Sequence, residues 1–565
     1  MKFRKLPYLI LFLLFTINTY AQKKPSTSKP GAVNVKYTIG SKTKQKSFTS
    51  SSFHVKSTES SHTMMQFRVK GVIPYLLLFP WYQNVHEYIY LNTYDEKLKQ
   101  TETTKINDFE VYAVGKLKKH TKYLVDIAKI EGENYAFYYQ YNRETHQVDF
   151  YVTQLNLEAG YAEGDPVFLT SIKAHNSMFF GVGLNYGLVF SEQKNYFMFY
   201  TKQKFNRRER KANKGRSRYR FMMFDSTFTK KYNVGYTLKK NNTLPGTSFN
   251  ALKAVSGKQN PVIIDNLGSF YFLEQQQIKK KKKITFRKRY DTYITGYNRS
   301  QKKISSNLVS SADNTLIDLC LSVDQNNSAL VAALFEKEEK AAIRLSLVDS
   351  TGEFVTVANQ NFSVPDYRKM LAISSQDKDA NKKPIPEKDV SDKKIERAGK
   401  NNLALLKIRE VLNNNDGSYL VMAEQYYITM YSSQGSNGSS QTHTVYHYLD
   451  IFIFKVNADG EVQNIQRIPK YYTTVDMKIN TFIISRNDQE VKIIYYNYTK
   501  KNKSSTRIAI INNETGKIRT SDFTPLSLSK HYFLNLSSIA FLPNNKILGV
   551  AQRGKSTWMF TAKVK

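Results

Sequence analysis

Residues 316–360 decide the fold. Leu316-Ile317-Asp318-Leu319-Cys320-Leu321-Ser322-Val323 alternates apolar and polar side chains and ends at Asp324-Gln325-Asn326-Asn327. Ala329 to Phe335 forms a second apolar run, closed by the charged turn Glu336 to Lys340. Ala342-Ile343-Arg344-Leu345-Ser346-Leu347-Val348 alternates again, and Asp349-Ser350-Thr351-Gly352 turns the chain into Glu353 to Ala358. Period-two runs bounded by Asx and Gly turns specify antiparallel strands joined by tight hairpins. Four such strands in about 45 residues match the size of one propeller blade.

The last of these hairpins recurs along the chain. Tyr94-Asp95-Glu96-Lys97-Leu98, Leu155-Asn156-Leu157-Glu158, Phe224-Asp225-Ser226-Thr227-Phe228 and Tyr297-Asn298-Arg299-Ser300 share its form. So do Val456-Asn457-Ala458-Asp459-Gly460-Glu461 and Ile511-Asn512-Asn513-Glu514-Thr515-Gly516. The Asx positions 95, 156, 225, 298, 349, 457 and 512 are spaced by 61, 69, 73, 51, 108 and 55 residues. Repetition at this interval in an all-β pattern indicates one repeat architecture, a single β-propeller of four-stranded antiparallel blades over residues 33–565. Seven marked hairpins and a composite last unit give eight blades. Seven remains open, because the first unit, Phe53 to Ile106, is weakly patterned. The stretch Ile539 to Val564 supplies three strands, and Val33 to Ile39 is the candidate for the fourth, which would hide both edges. The 108-residue interval contains residues 366–403, a polar segment with Pro384 and Pro386 that reads as a mobile insertion.

The N-terminus carries Lys2, Arg4 and Lys5, then the apolar run Leu9 to Phe15, then Tyr20-Ala21-Gln22. A basic start, a short apolar core and a small residue at a cut site read as a signal peptide over residues 1–21, leaving 22–32 as a disordered mature N-terminus. That run falls far short of the roughly 20 residues that span a bilayer. The run Val72-Ile73-Pro74-Tyr75-Leu76-Leu77-Leu78-Phe79-Pro80-Trp81 is interrupted by proline and reads as a buried strand or cap. No cysteine follows the cut site, so the expectation is export to the periplasm or beyond without a lipid anchor. The single cysteine, Cys320, lies in an apolar strand and reads as core; no internal disulfide is possible, so stability rests on packing. Hydrophobic residues at 41% and aromatics at 13% suffice for a large core. The net charge of +37, or +34 without Lys2, Arg4 and Lys5, biases the protein toward anionic partners. The abundance of Lys, Asn, Tyr and Ile gives a plainer origin, AT-rich coding.

One unit carries a closer likeness. Asn415-Asp416-Gly417-Ser418-Tyr419-Leu420-Val421-Met422-Ala423-Glu424-Gln425, followed by Asp450-Ile451-Phe452-Ile453-Phe454-Lys455-Val456-Asn457-Ala458-Asp459-Gly460-Glu461, resembles a blade common in exported Bacteroidetes β-propeller repeat proteins of unassigned function. Gln22 after the cut site resembles the same group. The match covers about 60 residues, and Asn457 stands where those blades have Asp. The resemblance implies fold and export, and no catalytic residue.

Chemistry is sparse. No nucleophile elbow, phosphate-binding loop or zinc-protease helix motif occurs, and nothing calls for a cofactor or resident metal. Gly181-Val182-Gly183-Leu184-Asn185-Tyr186-Gly187 reads as a strand needing close approach near the axis. Asn414, Asp416 and Gly417 mimic part of a calcium loop, but Leu412 and Ala423 stand at its two anchor positions, so a turn is expected. His443 and His447 fall in what reads as a Ser/Gly-rich hairpin loop, Ser432 to His447, where their spacing builds no metal site. Asp318 is an isolated carboxylate on an inner strand.

One constellation stands out. In a four-stranded meander the loops after the second and fourth strands share one face. Three loops after second strands are strongly basic: Arg207, Arg208, Arg210, Lys211, Lys214, Arg216, Arg218 and Arg220; Lys279, Lys280, Lys281, Lys282 and Lys283 with Arg287, Lys288 and Arg289; and Lys500, Lys501 and Lys503 with Arg507. Gathered on one face, these cations repel unless a polyanion pairs with them. The expected role is a non-enzymatic binding or scaffold propeller docking an anionic envelope component, an acidic glycan or an acidic protein. Solvated lysines that resist edge aggregation are the plainer reading. A polysaccharide hydrolase or lyase with an axial active site is the alternative, and would need paired carboxylates near the axis. Export argues against nucleic acid as the physiological partner.

Overall fold

The computed structural model describes residues 33, 35–44, 48–57, 61–70, 86–111, 121–142, 144–173, 175–177, 181–183, 186–203, 205, 207–214, 216–239, 242–244, 262–278, 289–311, 315–324, 326–337, 340–349, 352–363, 406–414, 416–434, 440–474, 481–487, 489–498, 504–523, 533–553 and 556–564. The segments read as signal peptide (1–21), mature N-terminus (22–32) and insertion (366–403), and the apolar run 72–81, lie outside the described residues.

The chain is all-β apart from short helical turns, and its strands fall into antiparallel meanders taken in sequence order. The first seven span residues 48–111, 123–173, 186–237, 242–310, 315–363, 406–468 and 482–522. The first two touch through one parallel bridge, Glu110 to Tyr123. The eighth sheet has six strands: Phe533–Leu534, Ala540–Leu542, Lys546–Arg553, Ser556–Val564, Thr43–Lys44 and the N-terminal strand Val35–Ile39, which pairs antiparallel with the last strand from Val35 opposite Val564 to Ile39 opposite Phe560. In the fifth meander the strands are Thr315–Val323, Ala329–Lys337, Lys340–Val348 and Phe354–Ser363, within a few residues of the alternating runs in the sequence.

All seven recurring Asx residues sit at the turn between third and fourth strands, for one chemical reason. Each side-chain oxygen accepts backbone N–H groups that the turn leaves without a strand partner. Asp95 accepts from Lys99 N, Asn156 from Glu158 N and Ala159 N, and Asp225 from Thr227 N and Thr229 N. Asn298 accepts from Gln301 N, Asp349 from Glu353 N, Asn457 from Glu461 N and Asn512 from Thr515 N. Asn and Asp therefore interchange freely at these positions.

Alternation along the strands divides each meander between two neighbours. Phe197 and Phe199 pack with Phe137 and Phe150 of the second meander, while Met198 and Tyr200 pack with Phe270 and Phe272 of the fourth. Phe452 and Phe454 face the fifth meander; Ile451 and Ile453 face the seventh. Further clusters join the first to the second, the fourth to the fifth and the seventh to the eighth. A last one joins Leu548, Val550 and Met559 of the eighth to Met64, Tyr94 and Leu98, so the contacts return to the first meander. The clusters are aromatic-rich, with Phe221 and Phe270 stacked at 4.6 Å across the third and fourth meanders. Each fully buried ring of this kind contributes about 1.5–3 kcal/mol. Cys320 is buried among Leu330, Ala332 and Leu334, and burial pushes its thiol well above the usual range, as a core cysteine requires.

The glycine-rich stretch divides where a single strand was expected. Gly181–Gly183 pairs with His175–Ser177 in a separate hairpin, and Tyr186–Phe190 opens the third meander. Close approach does occur at Gly187, where a Cβ would run into the Tyr200 ring. Gly417 turns at φ +78° with its N–H on the Asn414 carbonyl, a turn as expected. The segment Ser432 to His447 departs from expectation. It is strand, not loop, on both sides of residues 435–439, because Tyr419–Gln434 and Ser440–Val456 pair out to Gln434 opposite Ser440.

Candidate functional site

The first basic hairpin leaves the strand Tyr196–Gln203 and returns on Arg218–Asp225. Between them Arg207–Ala212 forms a helix of six residues, which the sequence reading missed. Arg208, Lys211, Lys214 and Arg216 are exposed, and among the described residues none of them lies within ion-pair distance of a carboxylate. Arg218 is different: Nη1 lies 3.2 Å from Glu209 Oε1 and the guanidinium covers the Phe205 ring at 4.8 Å. Arg220 donates Nε to Asn233 Oδ1 at 2.8 Å. Arg218 thus acts within the hairpin and Arg220 ties it to the next strand, Lys230–Thr237, while Arg207 and Arg210 belong to the helix. Lys279, Lys280, Lys281, Lys282 and Lys283, with Lys500, Lys501 and Lys503, lie outside the described residues. The strands flanking them, Phe270–Ile278 with Arg289–Asn298 and Glu490–Tyr498 with Ser504–Asn512, are second and third strands, as in the first hairpin.

The opposite face holds tight turns and a cavity. The first strands of the third to sixth meanders lie against one another in succession. Their C-terminal ends enclose about 330 Å³, lined by Val189 and Phe190, Val262 to Ile264, Leu321 to Val323 and Glu410 to Asn413. Glu192 and Arg486 complete the lining. The surrounding turns are tied by side chains: Asn266 Oδ1 accepts from Gln193 N at 3.0 Å, and Asn327 Oδ1 accepts from Asn266 N at 3.1 Å. Arg486 donates Nη1 to the Asn413 carbonyl at 2.9 Å, and its Nη2 lies 4.0 Å from Glu192 Oε1. Burial pushes the Glu410 carboxyl up to about 7; Arg486 opposes the rise and Glu192 adds to it. The cavity therefore brings together two carboxylates and one guanidinium that the sequence reading did not single out.

The reason they were missed is a bulge. Strict alternation would put Glu410 in phase with Leu406 and Ile408, as one outlier on a buried face. The register of Leu406–Asn413 shifts between Ile408 and Glu410, so Ile408 and Val411, three apart, share one core cluster. Glu410 is thereby delivered to the cavity.

Asp318, the inner-strand carboxylate, is not part of this cavity. It is half-buried, and its Oδ2 accepts from Ile408 N at 2.7 Å, tying the fifth meander to the sixth. Burial pushes its carboxyl up to about 6, against Lys407, the Ile408 and Leu319 amides and Arg409. His443 and His447 stand opposite Tyr431 and Tyr427 on the long arm. Four residues along a strand separate them by roughly 13 Å, too far to share one metal ion. A second charged group is fully buried: Glu424 accepts from Lys470, Arg409 and Thr481. Asp450 in turn accepts from Lys470 N at 2.8 Å, with Arg467 at 3.6 Å. Among the described residues no helix is long and apolar enough to cross a membrane.

No protein-family model matches the chain, and no curated protein matches it. Among solved structures it is similar to the β-propeller domain of the Trilobed protease from Pyrococcus furiosus, at 10% identity over 86% of this chain and 99% of that one, with a TM-score of 0.30. It is similar to the polysaccharide lyase Uly1, at 10% identity over 91% of this chain and 99% of that one, TM-score 0.33. A member of the DUF4221 family from Bacteroides vulgatus is 10% identical over 80% of this chain and 96% of that one, TM-score 0.26. Likenesses at this level assign no activity to this chain.

Proposed function

We propose that the chain is a closed propeller of eight blades that serves, after export, as a binding platform whose hairpin face docks an anionic surface or polymer. The eight inter-sheet clusters and the pairing of Val35–Ile39 with the last strand support closure. The observation that carries the docking role is the exposure, without carboxylate partners among the described residues, of Arg208, Lys211, Lys214 and Arg216 on a projecting hairpin. The tracts at 279–288 and 499–503 likewise join second to third strands, which supports a shared face. Phosphates of lipopolysaccharide, an acidic glycan or an acidic protein would each relieve the repulsion among these cations. Affinity would fall steeply with salt, since each neutralised charge releases a counterion.

The test is retention on immobilised heparin. Changing Arg208, Lys211, Lys214 and Arg216 to Ser, alone and with Lys279 to Lys283 changed to Ser, should lower the eluting salt concentration stepwise. Elution of both variants with the wild type would remove the proposal.

One observation favours the enzymatic alternative, a polysaccharide hydrolase or lyase. Glu410, held near the pKa of a general acid, shares the axial cavity with Glu192. Release of reducing or unsaturated ends from an acidic polysaccharide, abolished in Glu410→Gln, would establish it.

A further inference from the structure

The cavity on the turn face has a charge opposite to that of the chain. With both carboxyls ionised, Glu410 and Glu192 against Arg486 leave it one negative charge, in a protein of net charge +37. Arg486 is held by the Asn413 carbonyl and faces Glu192. The Glu410 carboxylate makes no hydrogen bond or ion pair among the described residues, and it is half-buried at the cavity wall. An ionised carboxylate kept from water without a partner is costly, and a ligand cation removes that cost. Phe190, Ile263, Leu321 and Val323 supply apolar wall beside the polar Ser322 and Asn413. The volume lies at the small end for ligand sites.

We propose that the axial cavity binds a small organic cation, a primary ammonium on a compact carbon skeleton, with its nitrogen on Glu410 and its body against Phe190, Ile263, Leu321 and Val323. An anion is disfavoured in the same seat, because ionised Glu410 would repel it. The site lies on the face opposite the basic hairpins, so it stands or falls independently of heparin retention.

Proton competition gives the site a signature. The charged and titratable groups around Glu410 are Arg486 from the seventh meander, Glu192 from the third, and the Cys320 thiol from the fifth. The fourth meander contributes only Val262, Ile263 and Ile264 to the cavity. A cation needs Glu410 ionised, and its carboxyl is pushed up to about 7. Affinity should therefore fall as pH drops below about 7, approaching tenfold per pH unit.

The experiment titrates the full chain with cyclohexylamine and benzylamine, and with cyclohexanol and benzyl alcohol as neutral counterparts, by ligand-observed NMR. The proposal expects the two ammonium compounds to bind about tenfold or more tightly than their counterparts at pH 8. It expects Glu410→Gln to remove that preference and its pH dependence, with an unfolding midpoint at pH 8 no lower than that of the wild type, since the neutral amide escapes the cost of burying a charge. Ser322→Phe, which fills the cavity from a half-buried position, should abolish binding of both. Equal binding of neutral counterparts, preference for acetate, an unaffected Glu410→Gln variant, or no binding by about 10 mM of either ammonium compound would each overturn it.

Discussion

Glu424 shows how this basic chain keeps charges inside its core. Its carboxylate is fully buried against Lys470 and Arg409, with Thr481 as a third donor. Burial alone would raise its pKa; Lys470 and Arg409 outweigh this and hold it below the usual carboxylate range. Replacing Glu424 by Gln keeps the shape but leaves two buried cations short of a partner, and should cost about 3–5 kcal/mol in urea unfolding at pH 7. A loss below about 1 kcal/mol would mean that the cluster is solvated. Asp318 acts in the opposite sense. Its folded pKa of about 6 lies above the usual 3.8, so the folded state holds the proton more tightly than the unfolded one. Its contribution is thus full below pH 4 and lost as pH rises through 6, by about 3 kcal/mol. Asp318→Asn should unfold like the wild type at pH 4 and gain stability relative to it by pH 7. Parallel stability curves across that range would contradict the assignment. Sequence alone marked Asp318 as an inner-strand carboxylate. It could not reveal that the residue's partner is a backbone amide 90 positions away.

At the scale of the element, turn chemistry was legible and strand irregularity was not. The Asx positions marked every turn between third and fourth strands, because Asp and Asn caps follow from local hydrogen bonding. Bulges at Ile408/Glu410, Leu124/Asp126 and Leu316/Asp318 leave no compositional trace, and they change which side chains share a face. The long arm at 419–456 was misread because Ser, Thr and Gly suit a solvated strand pair as well as a loop. Turns also join sheets. Gly460, at φ +84°, would drive a Cβ into the Val357 carbonyl of the preceding meander, whereas Gly132, at φ +91°, would meet nothing. Gly132→Ala should therefore cost only its backbone strain, about 1–2 kcal/mol. Gly460→Ala should cost at least about twice that, because packing between sheets is lost as well. Equal losses in thermal unfolding would show that the turn does not bear on its neighbour.

For the whole molecule, the repeat in the sequence anticipated sheets packed in series, and the split between eight and seven units turned on the weakly patterned first one. Residues 48–111 form a full meander whose strand Ser61–Lys70 carries Met64, Gln66 and Arg68 in alternation. The buried Arg68 donates to Gln66 and Asn92, so this sheet has a polar interior where hydrophobic patterning fails. In the proposed ring, strand direction alone would send the cationic hairpins to one face and the tight turns and the cavity to the other. The basic tracts could be read from the sequence because they are contiguous. Glu410, Glu192 and Arg486 could not, because they meet only when meanders far apart in sequence converge. Closure by the N-terminal strand is the feature that a ring requires and an open stack of sheets does not. Hydrogen–deuterium exchange of the backbone at residues 35–39 tests it most directly. A closed ring predicts slow exchange, in step with residues 556–564 on the partner strand. Exchange at the rate of an unpaired chain, with 556–564 still protected, would contradict it.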